Sequence, residues 1–296
     1  MNTHSEKAEK GMTASDEPEK DRLRQIILDS FSYEFVQPLN LISLNREYLQ
    51  LHLQQNGQAY SVQDVKAALD GIRTAVAQLD RLTENCRDLM KCLRGTAYLR
   101  KEPVCLSALM EDLCCCSAEI AHSLGITLQY VPVQTGYCVM TDRAMAERVL
   151  LNLISNALQA CRNQGTVQLR FSGSADGGTI AVTDDGIGVA PELAAHAFDS
   201  RRAEKPSGGG FPGGAGLGLY LCGEYCRLLN WQPAMRAEEH RTTVLIRIPQ
   251  NQLAPEGRLV FHSDGPPEGG PAERTRERVL RELRAVPGLE ALQPEC

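Results

Sequence analysis

Asn152 and Asn156 stand one helical turn apart in LLNLISNALQAC, where Val149, Leu150, Leu153, Ile154, Ala157 and Leu158 recur at helical spacing. That spacing stacks the two carboxamides on one helix face. A carboxamide oxygen placed there can ligate a hard cation such as Mg²⁺, which keeps some of its waters and shares phosphate oxygens. Further on, a strand-like run from Thr179 to Thr183 stops at Asp184-Asp185-Gly186-Ile187-Gly188. Gly186 and Gly188 let the backbone turn sharply. A carboxylate at such a strand end can accept a hydrogen bond from an exocyclic amine, such as that of adenine. Then Gly214, Gly216 and Gly218 run into a helical pattern over Leu217–Leu229. A helix N-terminus with unpaired N–H groups and little side chain in the way suits phosphate. Singly, these pieces read as a solvated helix face, an ordinary turn and a loop. In this order they describe a nucleotide pocket. A literal G-x-G-x-x-G at Gly208–Gly213 has no strand before it, and no G-x-x-x-x-G-K-[S/T] occurs, which removes the Rossmann and P-loop readings.

The elements that must position these residues follow from periodicity. Residues 1–20 are polar and nearly free of large apolar side chains, and are expected to be disordered. Residues 21–98 carry two amphipathic helical patterns, from Asp21 to about Gln55 and from Val62 to Leu93, joined at the Asn56-Gly57 turn. Pro38 falls inside the first and is expected to kink it or remove a hydrogen bond. One such hairpin cannot close its own apolar stripe, and pairing with a second copy gives a four-helix bundle. Residues 99–250 alternate strands and helices. Strands are expected at Val104–Leu106, Ile126–Val131, Tyr137–Met140, Thr166–Ser172, Thr179–Thr183 and Thr242–Ile248. Helices are expected at Ser107–Leu124, over the asparagine segment capped by Thr141 or Asp142, at Pro191–Phe198 and at Leu217–Leu229. Asp199–Gly214 reads as a lid whose Arg201, Arg202 and Lys205 can reach phosphates. Residues 251–296 are a Pro/Gly-rich linker and a short charged helix, Glu273–Ala285, with Val279, Leu280 and Leu283 on one face.

At 296 residues the chain is long enough for two domains. Its net charge of −6 and lack of a basic block argue against nucleic acid or an anionic membrane as partner. No apolar run reaches the roughly 18 residues of a membrane helix, and the N-terminus lacks a signal-peptide core. The expectation is a cytoplasmic protein. The 11 cysteines then read as reduced thiols. With no C-x-x-C pair, they do not support a structural zinc.

The segment from Glu102 to Pro249 resembles the ATP-binding domain of bacterial sensor histidine kinases, in the wider family that includes Hsp90, gyrase and MutL. NLISNA matches the asparagine box, DDGIGVAPE the first glycine box and GAGLGL the second. The resemblance implies an α+β protein: a helical dimerisation hairpin followed by an α/β sandwich of the Bergerat type, with ATP under a mobile lid. By the same resemblance Asn156 is a Mg²⁺ ligand, Asn152 its neighbour in the pocket and Asp184 the adenine-binding acid. Gly186 and Gly188 shape the adenine turn, and Gly214, Gly216, Leu217 and Gly218 the phosphate turn. Gln159 and Arg241 depart from the pattern, standing where a Lys and a Gly are usual.

The hairpin resembles the dimerisation and phosphoacceptor element of the same kinases. Glu34, Pro38 and Leu39 fall into the pattern, but Tyr33 occupies the slot of the acceptor His. A neutral imidazole nitrogen attacks a phosphoryl group near pH 7. A phenol with a pKa of about 10 is protonated there, and Glu34 is a weak base for it. His52 lies about 28 Å further along the helix at roughly 1.5 Å per residue, too far to substitute. Gln37 sits one turn beyond the slot, where an amide can orient water against a phospho-aspartate.

The resemblance therefore implies an ATP- and Mg²⁺-binding phosphotransferase of two-component signalling with an altered acceptor. It would be a homodimer whose partner is a response-regulator receiver domain or another kinase. Tyr33, Glu34 and Gln37 are its candidate catalytic residues. Three alternatives remain open: a non-catalytic dimeric scaffold, a response-regulator phosphatase, and a Ser/Thr kinase of the anti-sigma type.

Overall fold

The structure, a computed structural model, describes residues 34–51, 62–133, 137–161, 164–174, 176–199, 217–255 and 271–286. Tyr33, the lid arginines and Lys205, Gly208–Gly213, Gly214 and Gly216 lie outside these residues.

A helix, α1, runs through 34–51 with Pro38 inside it. Helix α2 spans Val62–Leu93. The two approach closely where α2 carries Gly71, since a Cβ there would stand 2.8 Å from Asn45 Nδ2. Val36, Leu39, Leu44 and Leu51 on α1, and Leu69 and Val76 on α2, are exposed. These side chains leave apolar surface on the hairpin that the described residues do not cover.

Strand β1 is Glu102–Val104 and helix α3 Leu106–Ser123. The expected strand at Val104–Leu106 is therefore corrected, because Leu106 already starts the helix. Gly125, at φ +70°, follows the helix end as a left-handed residue. Strand β2 is Ile126–Tyr130, β3 is Tyr137–Thr141 and helix α4 is Arg143–Cys161. Asp142 caps α4: its Oδ1 accepts from the Met145 N–H at 3.0 Å, and its Oδ2 from the Arg100 N–H at 2.8 Å.

Strands β4 (Gly165–Ser174) and β5 (Gly177–Asp184) form a long hairpin. Helix α5 is only Pro191–Ala194, shorter than expected, with turns continuing to Phe198. Helix α6 is Leu217–Leu229. Strands β6 (Gln232–Glu238) and β7 (Arg241–Pro249) come next, then a 3₁₀ turn at Gln250–Gln252, strand β8 (Leu253–Pro255) and helix α7 (Pro271–Leu283).

Five strands form a mixed sheet in the order β2-β4-β5-β7-β6, parallel only between β2 and β4. A three-stranded antiparallel sheet, β1-β3-β8, flanks it. Its edge strand Leu253–Pro255 lies past the boundary at 250 that the sequence suggested. Strand β5 alternates buried and half-buried residues along its length. Its buried face, with Ile180 and Val182, packs with Leu169 and Phe171 of β4 under α3, α4 and α6. The result is a two-layer α/β sandwich with one helix-covered face. Trp231 is buried in this core, and its Nε1–H donates to Gln252 Oε1 at 2.9 Å. Gln252 Nε2 in turn donates to the Leu229 carbonyl. Among the described residues no helix is long and apolar enough to cross a membrane.

Candidate nucleotide-binding site

Helix α4 presents its apolar positions to the sheet, with Val149, Leu150, Leu153, Ile154, Ala157 and Leu158 all buried. The helix end is tied to the turn after β5. The Ile187 N–H donates to the Ala160 carbonyl at 3.1 Å, and Gly186 lies so close that a Cβ would sit 2.5 Å from the same carbonyl group. Gly188, at φ +72°, lies under the Glu239 carbonyl. The Asp185 carboxylate braces the turn from outside, accepting from the Thr166 N–H at 2.6 Å. These contacts fix Asp184 at the end of β5, opposite Thr242 of β7 in the antiparallel register.

A small cavity lies between α4, this turn, α6 and the sheet. Its walls are apolar, from Leu153, Ala157, Val182, Ile187, Leu219, Met235 and Val244. Asp184, Thr242 and Asn156 supply the polar side chains. Asp184 is 7% exposed and its pKa is raised to about 6, mainly by desolvation, with Asp185 adding and the Gly186 N–H opposing. That N–H donates to Asp184 Oδ1 at 3.1 Å. Thr242 Oγ1 and Asn156 Nδ2 are buried without a hydrogen-bond partner in the structure. Unpaired polar atoms facing a cavity cost free energy unless a ligand satisfies them. The neighbouring Cys161 thiol is pushed up to about 12 by burial and by the two aspartates, so it stays protonated.

Asn152 is fully buried and does not line the cavity. It faces α6: a Cβ on Gly218 would stand 3.2 Å from Asn152 Oδ1 and 3.6 Å from Arg81 Nη2. Arg81, from α2, donates to Ser155 Oγ at 2.9 Å and to Asn152 Oδ1 at 3.4 Å. Gln159 turns inward to donate to Ser155 Oγ at 3.3 Å. Glu34 of α1 is buried, and its carboxylate accepts from the Leu217 N–H at 3.4 Å, at the start of α6. A carboxylate is favoured at that helix end. Gln37 is exposed.

So the structure brings together Asn156, Asp184 and Gly188 around one cavity, with Gly186 packed behind it on Ala160, while Asn152 and Gly218 meet each other outside its lining and Leu217 starts α6. Sequence reasoning missed Thr242, Met235 and Arg81. Thr242 shows only through its pairing with Asp184, and Arg81 only through tertiary contact. No group of three or more His, Cys, Asp and Glu side chains fit for a metal occurs among the described residues.

Residues 141–252 match the family described as histidine kinase-, DNA gyrase B- and HSP90-like ATPase. The sensor histidine kinase MtrB of Mycolicibacterium paratuberculosis is 28% identical over 70% of this chain, and ArcB, the aerobic respiration control sensor protein of Escherichia coli, 26% identical over 83%. This chain spans 40% and 31% of the length of those two proteins. In fold, it is similar to the Acinetobacter baumannii histidine kinase AdeS, with a TM-score of 0.55 at 18% identity over 74% of this chain and 98% of that one. It is likewise similar to the histidine kinase ThkA, solved in complex with the response regulator protein TrrA, with a TM-score of 0.56 at 14% identity over 82% and 68%. The cavity, the three sequence boxes and the fold thus coincide within the segment that matches the histidine kinase-, DNA gyrase B- and HSP90-like ATPase family, and over most of its length the chain is similar to sensor histidine kinases.

Proposed function

We propose that the chain binds Mg-ATP in the α4–α6 cavity and acts in two-component signal transduction as a homodimeric, histidine-kinase-like protein. The observation that carries this reading is the meeting of a raised-pKa carboxylate, Asp184, with the unpartnered Thr242 hydroxyl and Asn156 Nδ2 in one apolar-walled slot. Asp184 accepts from the adenine amine, and Thr242 completes the polar floor. The apolar walls take the purine faces. Asn156 is suited to Mg²⁺, which supplies charge compensation for the phosphates when bound. The N-terminal N–H groups of α6 beyond Leu217, whose own N–H is held by Glu34, receive phosphate oxygens. The exposed stripe on α1 and α2 supports pairing with a second hairpin.

Incubation with γ-labelled ATP tests the step after binding. With Tyr33 in the acceptor slot, no acid-labile, base-stable label is expected on the chain. Such a label, mapped to a histidine, would overturn the altered-acceptor reading. Label stable to both acid and base assigns Tyr33 as acceptor, and binding without label assigns the nucleotide a conformational role.

The exposure of Gln37 on α1, one turn past Tyr33, favours a second activity. Its carboxamide is open to a docking receiver domain and can orient water against a phospho-aspartate. Gln37→Ala is expected to slow the dephosphorylation of a phosphorylated receiver by about 10-fold, a loss of roughly 1.4 kcal/mol of barrier lowering. Equal decay rates with both proteins would remove Gln37 from the chemistry.

A further inference from the structure

Helix α7 joins the hairpin to the ATP-binding domain, packing against α2, α3 and α4. Val279 and Leu283 are fully buried, and Val286 nearly so. Around them, α7 and the residues after it grip both modules. Arg281 donates to Glu84 of α2 at 2.9 Å, Arg278 to Glu147 of α4 at 2.6 Å, and Gln78 of α2 to the Ala285 carbonyl at 3.3 Å.

At the centre lies Glu282, 2% exposed, between two guanidinium groups. One carboxylate oxygen accepts from Arg148, which Asn85, Glu84 and Asp88 also hold. The other lies 2.7 Å from Arg81 Nε without the alignment of a hydrogen bond. Arg148 thus has several anionic partners. Among the described residues Glu282 is the one carboxylate paired with Arg81. The same Arg81 reaches Ser155, Asn152 and the edge of Gly218, at the end of the site assigned to phosphate.

We propose that Arg81 is a triphosphate-sensing residue and α7 the strap it controls: the phosphates of a bound nucleotide compete with Glu282 for this one guanidinium. The inference rests on the Mg-ATP reading of the cavity. A polyanion beside Asn152 and Gly218 draws the arginine toward α6. Glu282 keeps Arg148 but loses half of its charge compensation in a buried place, where an uncompensated charge is costly. The strap then loosens, and the ATP-binding domain is freed from α2. By thermodynamic reciprocity, weakening the strap must tighten nucleotide binding by the same factor.

Hydrogen exchange of the α7 amides in the full chain tests this, with calorimetry beside it. Saturating Mg-ATP is expected to speed α7 exchange by about 5- to 20-fold, and adenosine, which lacks phosphate, to leave it unchanged. Glu282→Gln is expected to show fast α7 exchange without nucleotide and to bind Mg-ATP more tightly by the same factor. Unchanged or slowed α7 exchange in the wild-type chain saturated with Mg-ATP would overturn the proposal, and that arm needs no variant to fold. Equal acceleration by adenosine would overturn the role of Arg81 as a phosphate sensor. Failure of both adenosine and Mg-ATP to bind at all would sink the nucleotide reading together with this one.

Discussion

Asp184→Asn is expected to weaken adenine-nucleotide binding by about 100-fold while making the empty domain more stable. Both effects come from one buried carboxylate. Asp184 is raised to about 6, first by desolvation and further by Asp185. Because its folded-state pKa lies above the ordinary carboxylate value, its contribution to stability is full below that ordinary value and is lost as pH rises through about 6. Above that pH the ligand-free domain holds a poorly solvated charge. Substitution by Asn removes this cost, so a gain on the order of 1–3 kcal/mol is expected in urea denaturation at pH 8, fading toward pH 4. Binding runs the other way. The carboxylate is a charged acceptor for the adenine amine, and such bonds are worth roughly 1.5–3 kcal/mol. The carboxamide has one acceptor oxygen in place of two, and if that oxygen turns to the adenine amine its NH₂ meets the Gly186 N–H, donor against donor. Calorimetry at pH 8 checks the affinity, and wild-type affinity should itself fall as pH drops below about 6. A substituted protein that binds Mg-ATP as tightly as wild type would remove Asp184 from the site.

Gly186→Ala is expected to cost about 2–4 kcal/mol of stability and to open the site. The added Cβ would sit 2.5 Å from both the carbon and the oxygen of the Ala160 carbonyl, and 2.9 Å from the Ala160 side chain. These are backbone atoms near the end of α4 and cannot rotate away. The turn must lift, and the Ile187 N–H to Ala160 bond of 3.1 Å goes with it. Asp184 is two residues back, so nucleotide affinity falls too. Gly95→Ala is the control. Gly95 has φ +67° but nothing within 4 Å of its would-be Cβ, so only the left-handed strain of roughly 1–2 kcal/mol applies. Urea denaturation of the two proteins separates packing from strain, and equal losses would contradict the close approach.

Much of the fold was readable because local signals and tertiary demands agree. Val62–Leu93 and Leu217–Leu229 keep the bounds that periodicity gave them, since long amphipathic patterns admit one helical phase. Asp142 caps α4 as its residue type suggests. Strand β6 gave no signal: Gln232–Glu238 has no fully buried position, and it is a strand because it pairs with β7. Strand β8 is three residues long and exists through β3. In the site, the asparagines and the Asp184 turn were legible because each is a short motif with its own geometry. Thr242 was not, since a Thr at a strand start is ordinary until the register sets it against Asp184. Arg81 and Glu282 stand in different helices far apart in the chain, and only folding brings them together.

The seat of Trp231 has a practical consequence. It is the chain's single tryptophan, it lies in the core of the ATP-binding domain, and its indole N–H is held by Gln252. Intrinsic emission excited at the red edge therefore reports on this domain alone, while far-ultraviolet circular dichroism also weighs the helices of the hairpin. Tracking both signals through one denaturation separates melting of the nucleotide module from melting of the coiled pair beside it.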